Sequence, residues 1–125
     1  MTTLHALKQY LESRGYSNIS LDGLPEQSEQ LDAVSLLKLD HTVGTVNDGT
    51  GTHFIQIQVR RAEYAQAESV CHELFQLLDS GLNETLIDLS ESVFCIARPY
   101  KGPLQLERGT DFTTFYCEIA LWGKN

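Results

Sequence analysis

The chain has 125 residues, 17 of them acidic and nine lysine or arginine, giving a net charge of −8. That length supports one hydrophobic core and no second, and an apolar share of 42% sets it apart from chains too polar to fold. The acidic balance excludes a surface that grips nucleic acid by neutralising phosphates, yet it suits one that DNA must slide past without being held.

From the start, Met1 to Leu11 shows neither a basic beginning nor an unbroken apolar run, so no signal peptide is expected. No stretch approaches the ~18 apolar residues of a membrane span. Leu4, Leu7 and Leu11 recur at helical spacing after Thr2 or Thr3, predicting a helix to about Arg14 that Gly15 stops. The polar segment from Tyr16 to Asp32, with Gly23 and Pro25, reads as an irregular surface connection.

Ala33 to Asp40 is a short, mostly apolar run and reads as a covered strand. A flexible hairpin loop is expected at about 41–52, where Asp48-Gly49 and Thr50-Gly51 are turn signals. Phe54 to Arg60 then alternates, with Ile55, Ile57 and Val59 on one side and Gln56, Gln58 and Arg60 on the other. From Ala62 the period becomes helical: Ala67, Val70, Cys71, Leu74, Leu77 and Leu78 form one apolar stripe. Acidic residues are expected in its first turn and Gly81 at its end.

Further on, a short strand at Leu86–Leu89 and another at Val93–Arg98 are expected, the second ended by Pro99. Tyr100 to Asp111 reads as a loop, and Phe112 to Gly123 as a long aromatic and β-branched strand. The fold class is therefore α+β: one domain over 1–125, with a mainly antiparallel sheet of four to five strands and two helices on one face.

Catalytic and metal-binding patterns are missing. Cys71 and His72 are helical neighbours whose side chains diverge by about 100°, which is poor geometry for a catalytic pair. Cys71, Cys95 and Cys117, odd in number and set in apolar segments, read as reduced core thiols. His41 and His53 flank the glycine loop, but no CxxC or HxxxH accompanies them to complete a zinc set. Asp88 and Glu91 read as a solvated surface, and the glycine loop lacks both GxGxxG spacing and a phosphate-loop lysine. No cofactor is expected.

Arg60 and Arg61, at the strand end, should point to opposite sides of the sheet. Each can hold the strand-to-helix corner internally or bridge to an acidic neighbour. Candidate contact residues are Gln56, Gln58, Arg60 and Arg61 on the sheet, with His41, Val43, Val46, Asn47, Asp48 and His53 around the hairpin.

The order of elements resembles the tail terminator and minor capsid proteins of long-tailed bacteriophages. The likeness is carried by Val59-Arg60 closing a strand, then Tyr64, Ala67 and the leucines of an amphipathic helix. A Gly102-Pro103 turn and Arg108 before the closing strand add to it. The resemblance implies a structural virion protein, assembled in the bacterial host cytoplasm. It would form a ring, usually a hexamer, at the head-proximal end of the tail tube, ending tube growth and offering the head connector a docking surface around a DNA channel. Arg108 then joins the contact residues. The alternatives are a head-completion or connector protein and, from another class, a small cytosolic ligand-binding or regulatory domain.

Overall fold

The computed structural model describes residues 3–21, 23–24, 31–43, 50–79, 86–90 and 93–124. In chain order the elements are α1 (Thr3–Ser13), β1 (Ile19–Leu21), β2 (Ala33–Val43), β3 (Thr50–Arg61), α2 (Tyr64–Leu78), β4 (Leu86–Ser90), β5 (Val93–Arg108) and β6 (Thr113–Lys124). The strands form one sheet in the order β1-β2-β3-β6-β5-β4, antiparallel throughout except for the β1–β2 pair. The α+β class and the mainly antiparallel sheet agree with the sequence; the sheet has six strands rather than four or five.

Alternation along β3 and β6 builds the core. Ile55, Ile57 and Val59 lie beside Ile119, Cys117 and Phe115 in register, and Val34 and Leu36 of β2 join them. The helices add Leu7 and Leu11 from α1 and Ala67, Cys71, Leu74 and Leu78 from α2 to the same buried cluster. Both helices therefore cover one face. Helix α1 packs at β1 and β2 yet also reaches β4, at the opposite end of the strand order. An eleven-residue helix is about 16 Å long, whereas six adjacent strands span about 24 Å. The sheet must curve around the helix layer for one helix to touch both borders.

Gly15 ends α1 as expected. Its N–H donates to the Glu12 carbonyl at 3.1 Å and that of Tyr16 to the Leu11 carbonyl at 3.1 Å, with Gly15 at φ +96°. That paired closure needs a left-handed residue, which glycine adopts without a Cβ penalty.

The structure corrects six expectations. Residues 19–21 are not part of an irregular connection but a short strand, too brief to show a period, held parallel to Val34–Leu36. Residues 41–43 and 50–52 are paired strand, so His41 to Thr52 is not all loop; the remaining 44–49, with Val46, Asn47 and Asp48, lies outside the described residues. Helix α2 begins at Tyr64, not Ala62, and its first turn holds no acid: Glu63 is the N-cap, with no side-chain capping bond.

Pro99 does not end its strand, and the stretch from Tyr100 to Arg108 is not a loop. β5 runs to Arg108 through register shifts between Pro99 and Lys101, Lys101 and Leu104, and Gln105 and Glu107. Among the described residues β4 covers β5 over Val93–Ile96 and β6 alone neighbours Pro99, the border position that tolerates a missing N–H. The expected Gly81 stop lies outside the described residues.

Candidate functional site

Two features stand out on the side of the molecule that the sequence singled out: the open face of the sheet and the corner where β3 passes into α2. On the open face, pairing sets Gln56 of β3 beside Glu118 of β6. Gln56 donates through Nε2 to Glu118 Oε2 at 3.1 Å, and Gln58 donates through Nε2 to Gln56 Oε1 at 2.7 Å. From the β5 side, Tyr100 donates its hydroxyl proton to Glu118 Oε1 at 3.1 Å. The result is a hydrogen-bonded row crossing three strands with one net charge, that of Glu118.

Aromatic groups frame the row. The Phe54 ring meets Tyr100 edge-to-face at 5.9 Å, and Lys101 Nζ lies 5.7 Å from the Tyr116 ring centre. Burial raises the Tyr100 phenol above its ordinary value, and the hydrogen bond to Glu118 and that carboxylate's charge push it the same way. Tyr100 thus stays a neutral donor to a carboxylate acceptor, which fixes the direction of the row.

At the corner only Ala62 and Glu63 separate strand from helix. The two arginines diverge, as alternation requires. Arg61 bonds Asp32 Oδ1 at 2.7 Å and donates to the carbonyls of Arg60 at 2.8 Å and Ala33 at 3.4 Å, tying the end of β3 to the start of β2. Arg60 is 5% exposed, its guanidinium stacked 5.3 Å from the Phe112 ring centre. Across the sheet, Arg108 and Arg61 both stand opposite Thr113. The Arg108 guanidinium lies 5.1 Å over the Tyr64 ring, and Tyr64 packs edge-on against Phe115 at 5.1 Å. Three arginines and the first residue of α2 thereby lock one end of the sheet.

The remaining candidates separate from this group. His41 and His53 are register partners, with His53 buried; Val43 pairs with Gly51 further along the same strand pair. Cys71 is buried while His72 is exposed, and among the described residues no group of three or more His, Cys, Asp or Glu is placed to hold a metal. Cys71 and Cys117 are buried free thiols in mutual contact between α2 and β6. The Cys71 neighbour and burial together push the Cys117 thiol far up. Such a pair behaves as core packing.

Asp32, Phe112, Tyr100 and Glu118 complete these two features and were not singled out by sequence. For Glu118 a signal was available: it lies in the β6 alternation on the polar side. Only the β3–β6 register puts it opposite Gln56. No known family profile matches the chain, and no curated protein sequence matches it. No helix among the described residues is long and apolar enough to cross a membrane.

Proposed function

We propose that the protein is a structural component of a phage tail. It forms a ring, six copies in the simplest case, on the head-proximal end of the tail tube, ends tube growth and offers a docking surface to the head connector. Double-stranded DNA passes through the ring without sequence-specific contacts. No bond is made or broken at any residue.

One observation carries this reading: three of the residues behind the phage-tail resemblance flank the strand-to-helix corner. Tyr64 and Arg108, separated along the chain, stack on the helix side of the strand-to-helix corner where Arg61 holds Asp32, and Arg60 packs on Phe112 on the other face of the same strand end. A closed ring repeats one heterologous contact, so any slack in the angle between sheet and helix accumulates around it. A corner of two residues, clamped by ion pair and ring stacking, limits that slack. The nearly neutral amide row on the open face suits the same role, because amides and a single carboxylate bond a protein partner without retaining DNA.

The test is electron microscopy of particles made without this gene. Tails of uncontrolled length support the proposal. Tails of normal length beside unjoined, leaking heads would move the protein to the connector side of the joint, and normal joined particles would remove it from tail assembly.

A further inference from the structure

The sheet has two half-covered borders. On one side β1 pairs with β2 only at Val34–Leu36, and no further strand among the described residues covers Leu37 to Val43. On the other side β4 pairs with β5 over Val93–Ile96, and no strand among the described residues covers Pro99 to Arg108. These bare lengths lie at opposite ends of the strands. Register carries Leu37 across Gln56 and Glu118 to Lys101, and Ala33 across Arg60 and Thr114 to Glu107. Each border is therefore stepped, and the steps are complementary. A second copy shifted along the strand direction sets its bare β2 beside bare β5 while β1 and β4 clear each other. The sense is also right, since β2 and β5 run antiparallel within the sheet.

Side chains on the two lengths match. Leu39 on β2 is 46% exposed and Leu106 on β5 is 47% exposed. Each occupies a register shift, between Lys38 and Asp40 and between Gln105 and Glu107, where a bulge re-aims a side chain away from its own ladder. Leu104, 45% exposed, adds to the β5 side. An antiparallel alignment that opposes Leu39 to Leu106 brings the two bulges together; Lys38, on the helix side with Ile55, and Glu107, on the open side with Thr114, then flank the leucines from opposite faces. Pro99 and Pro103 limit main-chain pairing on β5, leaving the contact to side chains.

We infer that the β2 border of one copy docks on the β5 border of the next, through Leu39 against Leu104 and Leu106. This rests on the ring reading and names its interface. Two different surfaces on opposite borders make a heterologous contact, the kind that closes into a ring or runs on as a filament.

The experiment is sedimentation of the full chain over a wide concentration range, with Leu39→Asp, with Leu106→Asp, and with the two variants mixed in equal amounts. Wild type should associate reversibly, and each variant should associate about tenfold more weakly or worse. The mixture should form heterodimers and stop there, because each variant keeps the border the other has lost. Variants that associate like wild type, or a mixture without heterodimers, would overturn this interface while leaving the ring reading in place. A wild type that stays monomeric throughout would overturn it too. The ring reading falls separately, on normal joined tails in particles lacking the gene.

Discussion

Gly102 and Gly15 share the same backbone angle, φ +96°, in opposite surroundings. A Cβ built on Gly15 meets nothing within 4 Å, whereas one on Gly102 would lie 2.6 Å from the Tyr116 carbonyl oxygen and 2.8 Å from Cys117 Cα. Alanine at Gly15 therefore carries only the left-handed backbone cost of about 1–2 kcal/mol. At Gly102 the same cost adds to an overlap with main chain that cannot rotate away, so β5 and β6 must part and loosen their ladder. We expect about 3–5 kcal/mol in total for Gly102→Ala, in the upper range for single substitutions. For 125 residues the unfolding entropy is about 0.26 kcal/mol/K. The melting temperature should then fall by about 4–8 °C for Gly15→Ala and by about 11 °C or more for Gly102→Ala. Thermal melts followed by far-ultraviolet circular dichroism read both. Equal shifts would refute the reasoning, since only the close approach distinguishes the two sites.

Truncating the corner clamp should show a graded response: Asp32→Ala costs at most about 1 kcal/mol because its carboxylate is mostly solvated, while Arg61→Ala costs about 1–2 kcal/mol because two carbonyl contacts go as well. Urea titrations decide it, and equal losses would place the energy in the ion pair. Leu74→Ala, fully buried on the sheet-facing side of α2, should cost about 2–5 kcal/mol in the same titration. The Cys117 thiol, raised from an ordinary value of 9.0, binds its proton more tightly when folded, so its contribution to stability is present below pH 9 and declines above it. Urea midpoints from pH 7 to 10 should therefore fall toward high pH, and the decline should be smaller in Cys117→Ala. Spectrophotometric titration should find the Tyr100 phenol ionising above the usual tyrosine range, and Glu118→Gln should lower it by removing the negative charge.

Most of the helix and strand layout was legible because burial imposes period. The stripe Ala67, Cys71, Leu74 and Leu78 and the alternation Ile55, Ile57 and Val59 each name their own face. β1 was not legible: three residues carry no period, and its parallel pairing depends on where β2 happens to lie. The second half of β5 was hidden because proline and glycine punctuate it and bulges break its alternation, as expected near a sheet border. At the site, the divergence of Arg60 and Arg61 followed from strand geometry alone. Their partners Phe112 and Asp32 did not, because each comes from a chain turn whose path no periodicity encodes.

The central claim is that this chain sits as a ring on one end of a tail tube. Its most direct test is negative-stain electron microscopy of purified tails carrying an affinity label on this protein. The account predicts label confined to the head-proximal tip, on a ring with an open centre. Label spread along the tube, or absent from tails, would contradict it.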